Sequence, residues 1–175
     1  MREPSRAARV VVFRHGPAEV RDPARWPDDG LRPLSRKGTQ QTRRVAAGLA
    51  RLLDPVSCLA SSPALRARQT ADRLGRALDP PRRPVLWAEL DAGTLAAPLL
   101  VRVRRETGPN RTVVIVGHEP TLAEFIGLAL TGDGVAVARL TKGGAACLEF
   151  PSAVRPGAAR LLWLLTRKQL ADAAE

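Results

Sequence analysis

The sequence predicts an α/β fold, a three-layer α/β/α sandwich whose mostly parallel central sheet of about six strands carries an antiparallel edge. Three observations predict it. Short apolar runs alternate with longer stretches of helical periodicity. Proline, glycine and polar clusters punctuate the boundaries between them. At 175 residues and 45% hydrophobic content, the chain fits one domain over residues 1–175 and is long enough to bury a proper core.

The elements follow in order. Arg9–Phe13 is the first strand, and a polar, proline-rich loop runs from Gly16 to Leu34. Ser35 reads as a helix N-cap, and Thr39–Leu53 carries helical spacing through Val45, Leu49 and Leu52. Val56–Ala60 is the second strand. Pro63 opens the next helix at a position where proline is tolerated, and that helix ends near Leu78, before the breakers Pro80 and Pro81. Val85–Trp87 is a short third strand. Thr94–Thr107 reads as a helix stopped by Gly108 and Pro109. Thr112–Val116 is the fourth strand and, by its unbroken apolar run, the most buried. Glu119–Leu130 is the following helix, with Leu122, Phe125, Ile126 and Ala129 on one face, and Ala145–Phe150 and Leu161–Leu165 form the antiparallel edge.

Composition narrows the partners. The formal net charge is +11, and of the 28 basic residues only Lys37, Lys142 and Lys168 are lysines. A positive field of this kind raises the encounter rate with anionic substrates, although a compositional bias toward arginine yields the same count. Aromatic residues make up 3%, which leaves little for base stacking, and neither a basic block nor zinc-finger spacing appears; nucleic acid is disfavoured. No apolar run is long enough to span a bilayer, and the opening "MREPSRAARVVVF" lacks the apolar segment of a secretory signal. Cys58 and Cys147 lie in strand-like contexts and read as reduced core thiols, so the expected location is cytoplasmic. No cofactor is implied, and two histidines without cysteine or carboxylate spacing give no structural zinc site.

The chemistry sits at strand ends. The chain has two histidines in all: His15 follows the first strand in "VVVFRHG", and His118 follows the fourth in "VVIVGHEP". Ligands of open α/β sheets bind at the carboxyl ends of strands where the connection direction switches, so neighbouring first and fourth strands would turn both imidazoles into one crevice. A third such end, "CLASSPALRARQTA", presents Arg66 and Arg68 at a helix start, where free N–H groups and the helix dipole favour anions and the arginine fork matches phosphate oxygens. Rival sites fail on spacing. Ala64 stands where the arginine of a Cys-x5-Arg phosphatase would follow Cys58, "LTKGGAA" lacks the spacing of a P-loop, and no G-x-S-x-G elbow exists.

"RHG", "LSRKGTQQ", "SSPALRARQTA" and "VGHEP" occur in the order seen in the histidine phosphatase superfamily, and over Val10 to about Thr121 the chain resembles that family, looking most like its small SixA-type phosphohistidine phosphatases. The resemblance implies a metal-independent phosphatase. His15 matches the nucleophile that becomes a phosphohistidine, Arg14 and Arg66 match the two phosphate-clamping arginines, and His118 matches the second pocket histidine, whose protonated ring would add positive charge. "LSRKGTQQ", with Ser35, Gly38 and Gln41, matches a helix start that orients the loop beside the site. For an acid that protonates a leaving group, Glu89 in "LWAELDAG" is favoured by position, with Asp91, Glu19 and Asp22 as competitors. The implied substrate is phosphohistidine in a protein or another small phosphorylated compound. A broad phosphomonoesterase or nucleotide phosphatase is the alternative within the class, and an inactive phosphate-binding module the alternative outside it.

Overall fold

The valines of the first strand point alternately into two different cores. The computed structural model describes residues 7–175, so the opening residues on which the absence of a secretory signal partly rests lie outside the described ones. In β1 (Ala8–Arg14), Val10 and Val12 join one apolar cluster, and Val11 and Phe13 join the other. β4 (Thr112–Gly117) divides the same way, with Val113 and Ile115 set against Val114 and Val116. A strand that is apolar on both faces needs helices above and below it. On one face α1 (Arg36–Leu52), α2 (Leu65–Leu78) and α5 (Arg167–Asp172) contribute Val45, Leu49, Leu74 and Leu170. On the other, α3 (Ala96–Glu106) and α4 (Thr121–Thr131) contribute Leu99, Val103, Phe125 and Ile126. The expected three layers follow from this division.

With β2 (Val56–Ser61), β3 (Val85–Leu86), β5 (Ala145–Phe150) and β6 (Arg160–Leu165), the sheet runs in the order β3-β2-β4-β1-β5-β6. The pairs β1–β4, β2–β4 and β2–β3 are parallel, while β5 runs antiparallel to both β1 and β6, which makes the antiparallel edge. β1 and β4 are neighbours, with Arg14 level with Gly117. The chain leaves β1 for α1 on one face and leaves β4 for α4 on the other. That divergence opens the crevice at the carboxyl ends of these two strands.

Local chemistry sets the element starts. Ser35 caps α1, its Oγ accepting from the Gly38 N–H at 2.9 Å. A Cβ at Gly38 would overlap the carbonyl oxygen of Pro17, so glycine there lets the helix close onto the loop that follows β1. α2 starts at Leu65 rather than at Pro63, because the Ser62 hydroxyl takes the Ala64 N–H and the chain is still turning. Three elements were not expected, among them the 3-10 turn Ala88–Leu90. Another 3-10 turn, Asp29–Leu31, interrupts the proline-rich loop. α5 is nucleated by a capping box in which Thr166 accepts from the Gln169 N–H and Gln169 reaches back. Among the described residues no helix is long and apolar enough to cross a membrane.

Candidate active site

The register of β1 on β4 places the two histidines side by side. The residue after Arg14 is His15, and its N–H donates to the Gly117 carbonyl at 3.1 Å. His118 is the next residue on the other strand. The ring centroids are 4.9 Å apart at 53°, and both side chains are nearly buried. Gly16 follows His15 in a tight space: its N–H donates to Thr70 Oγ1 at 3.0 Å, and a Cβ there would overlap Thr42 Oγ1. His15 Nδ1 lies 2.7 Å from the Gly16 carbonyl oxygen. A carbonyl only accepts, so Nδ1 carries the proton and Nε2 keeps its lone pair.

Two guanidinium groups complete the recess. Arg66, in the first turn of α2, is 5% exposed. Its Nη1 donates to the Asp29 carbonyl at 2.7 Å, and its Nη2 lies 3.2 Å from the Asp29 carboxylate and 3.5 Å from His118 Nδ1. Arg14 Nη1 donates to the Leu140 carbonyl at 2.7 Å. Leu140 is held in turn, since its N–H donates to Glu119 Oε1 at 2.8 Å. Among the described residues the Nε–H groups of both arginines are buried without a hydrogen-bond partner. Orphaned cationic donors in a polar recess invite an anion. Arg68, the other arginine at this helix start, is exposed to solvent.

Burial dominates the electrostatics. His15 is held down at about 3, first by desolvation and then by the His118 ring, with Arg66 and Arg14 adding to the effect. Desolvation and Arg66 hold His118 at about 4, against the pull of Asp91 and Asp29. Both rings are therefore neutral at neutral pH, which suits His15 for attack; the protonated His118 expected from the sequence requires the negative charge of an arriving phosphoryl group. The Asp29 carboxyl sits below its usual range because it accepts from Arg32 and faces Arg66.

The acids considered from sequence fall in different places. Asp91 is joined to the pocket: its Oδ1 lies 3.1 Å from Ser62 Oγ, which lies 2.9 Å from His118 Nε2. Glu89, two residues earlier in the 3-10 turn Ala88–Leu90, is half-exposed, and its carboxylate has no hydrogen bond or ion pair among the described residues. Glu19 is half-buried and engages Arg32 through its backbone carbonyl. Asp22 is exposed and caps the turn at Ala24 and Arg25. Sequence reasoning assigned no role to Ser62, Asp29 or Glu119. Ser62 and Glu119 adjoin motif residues, but Asp29 meets Arg66 across 37 positions and lies in a loop with no periodicity to mark it. A surface cleft of about 630 Å³ beside Arg76, Asp79 and Arg82 contains neither histidine.

Comparison with known proteins bears on the family and the fold. The chain is 38% identical to an uncharacterized protein of Picosynechococcus sp., over 87% of each chain. Similar solved structures include the protein histidine phosphatase SixA complexed with tungstate, at TM-score 0.77 and 20% identity, covering 93% of this chain and 99% of that one. Another is phosphoserine phosphatase from Entamoeba histolytica in complex with 3-phosphoglyceric acid, at TM-score 0.65 and 16% identity, covering 93% and 99%. At such identities the likeness shows the fold, and by TM-score the SixA structure lies nearer. The model of the histidine phosphatase superfamily (branch 1) matches residues 10–99, a span that begins in β1 and takes in Arg14, His15 and Arg66, and the chain belongs to that superfamily.

Proposed function

We propose that the protein is a phosphatase that forms a covalent phosphohistidine on His15 and acts in the cytoplasm, chiefly on phosphohistidine in proteins. Membership of the superfamily supports phosphatase activity. One observation carries the finer reading: two buried imidazoles stand 4.9 Å apart at adjacent strand ends, with the Nδ1–H of His15 spent on Gly16 and its Nε2 lone pair free. The lone pair of Nε2 attacks phosphorus while the bond to the leaving group breaks, its electron pair departing with that group. Water then attacks the phosphohistidine, releasing phosphate and returning the lone pair to Nε2. Phosphoryl transfer asks mainly for in-line positioning and for compensation of charge on the equatorial oxygens. Arg14, Arg66 and His118 supply both, and this reading requires no metal.

Glu89 is the candidate acid for the leaving group. Asp91 Oδ1 is engaged by Ser62 and by the Ala92 N–H at 2.9 Å, whereas the Glu89 carboxylate is uncommitted. A protein substrate is favoured over a small metabolite by access. Only one 3-10 turn and α3 lie between β3 and β4, and a single loop joins α4 to β5, so neither connection supplies a separate lid domain. Cys58 and Cys147 are unpaired, which suits a reducing compartment.

The test is a trapping experiment on the whole chain. Wild type, quenched without acid, should carry a phosphoryl group that is acid-labile and base-stable, and His15→Ala should lose both the label and the turnover of para-nitrophenyl phosphate. Turnover should survive excess chelator. Label on serine, cysteine or aspartate, or activity lost to chelator and restored by one divalent ion, would overturn the reading.

A further inference from the structure

Ser62 Oγ lies within hydrogen-bonding distance of three polar atoms: the Ala64 N at 3.1 Å, His118 Nε2 at 2.9 Å and Asp91 Oδ1 at 3.1 Å. A hydroxyl has one proton to give and two lone pairs to offer. The Ala64 N–H only donates and takes one lone pair. The ionised Asp91 carboxylate only accepts, so the hydroxyl proton points to it. What remains for His118 is the second lone pair, and Nε2 must then carry a proton and donate it. The opposite side of the ring agrees: Nδ1 faces the Nη2 of Arg66 at 3.5 Å, a group with donors only, so Nδ1 presents its lone pair. The other tautomer would set N–H against N–H at Arg66.

We propose that Asp91, acting through the Ser62 hydroxyl, is a positioning residue that sets His118 in its Nε2–H tautomer and stabilises the imidazolium formed when a phosphoryl group is bound. The inference rests on the pocket role given to His118 above. The turn that holds Asp91 is itself fixed. The Asp91 N–H donates to the Ala88 carbonyl at 3.0 Å, and Thr94 Oγ1 donates to the Asp91 carbonyl at 2.8 Å. Thr121 Oγ1, at the start of α4, donates to the Thr94 carbonyl at 2.8 Å, which ties the turn to the segment that bears His118.

The consequence lies at Nδ1. With Nε2–H committed to Ser62, a second proton binds only at Nδ1, on the side shared with Arg66, where an anion's oxygen would lie between the two groups. The charged and titratable groups facing the ring are Arg66, Arg14 and His15, which oppose that proton, and Asp91 and Asp29, which favour it. A bound phosphate tips this balance, and the Ser62–Asp91 link keeps the resulting imidazolium backed by negative charge. This use of Asp91 also separates it from leaving-group protonation, which falls to Glu89.

The chain has only two histidines, so ring nitrogen NMR reads the site directly, with His15→Ala assigning the remaining signals. The expected result is an Nε2–H tautomer for His118 in wild type. Asp91→Ala, which frees the Ser62 proton for Nε2, should shift it toward Nδ1–H, whereas Ser62→Ala leaves Arg66 facing Nδ1 and should keep Nε2–H. Both should lower kcat on para-nitrophenyl phosphate by about 10- to 100-fold, the worth of one hydrogen bond to a charged group, with KM moving far less. Asp91→Asn still accepts from Ser62 and should keep the tautomer. Saturated with inorganic phosphate, however, it should show a smaller protonated fraction of His118 than wild type. If Asp91→Ala does not fold, Asp91→Asn decides. An Nδ1–H tautomer in wild type, or an unchanged tautomer in Asp91→Ala, would overturn the proposal, as would an unchanged protonated fraction in Asp91→Asn. The tautomer is read without turnover, so it stands or falls apart from the covalent reading, which His15→Ala and the trapped label decide.

Discussion

Lowering the pH from 7 to 5 should destabilise the fold by about 4 kcal/mol, with the two histidines responsible. In the unfolded chain each imidazole titrates near its ordinary value, about 6.5. In the folded chain burial holds His15 at about 3 and His118 at about 4. The folded values are the depressed ones, so the stability they represent is fully present above the unfolded value and drains away as the pH falls toward the folded values. Between pH 7 and 5 the unfolded chain takes up a proton on each ring that the folded chain refuses, a difference of about 2 kcal/mol per histidine. Ordinary carboxylates titrate below this window and arginines above it, and no third histidine is present to blur it. Urea denaturation at the two pH values, followed by the fluorescence of the buried Trp87, measures the effect as a shift of midpoint at constant slope. The variant carrying both His15→Gln and His118→Gln should lose most of the pH dependence, and each single variant about half. Equal wild-type stability at pH 7 and 5, or a double variant with the wild-type slope, would refute the claim that the pocket holds both rings neutral.

Arg66→Lys should be nearly as damaging as Arg66→Ala, on the order of 10²-fold in rate, because an ammonium cannot reproduce a fork held by the Asp29 carbonyl and carboxylate. Arg68→Ala, at an exposed position on the same helix, should leave kcat/KM unchanged; the reverse ranking of the two arginines would show the clamp to be wrongly assigned. Glu89→Gln should slow the hydrolysis of an alkyl phosphate far more than that of a phosphohistidine peptide, since imidazole leaves phosphorus more readily than an alkoxide and needs the acid less. Equal slowing of both substrates would remove Glu89 from the role of leaving-group acid, and a phosphorylated metabolite preferred over the peptide by tenfold or more would displace phosphohistidine as the substrate.

Strands, helices and the three layers were legible in the sequence because each depends on short-range regularities. Val10–Phe13 and Thr112–Val116 are continuous apolar runs, α1 shows its buried face at Val45 and Leu49, and Ser35 stands where a cap is needed. The capping box at Thr166 and Gln169 was equally local and marks α5, which the reading of late strands passed over. Arg14, His15, Arg66 and His118 stood out because they sit at strand and helix ends within recognisable motifs. The groups that hold them were not legible. β4 inserts between β2 and β1, which meets the condition for both imidazoles to share one crevice and brings His118, across 56 positions, to Ser62. Asp29 reaches Arg66 and Leu140 reaches Arg14 from loops whose conformation no periodicity encodes. The protonation of the pocket was beyond the sequence for a related reason. An imidazole's affinity for a proton depends on what surrounds it, and at this site burial and facing arginines, both products of chain segments distant in sequence, outweigh the ordinary preference of the side chain.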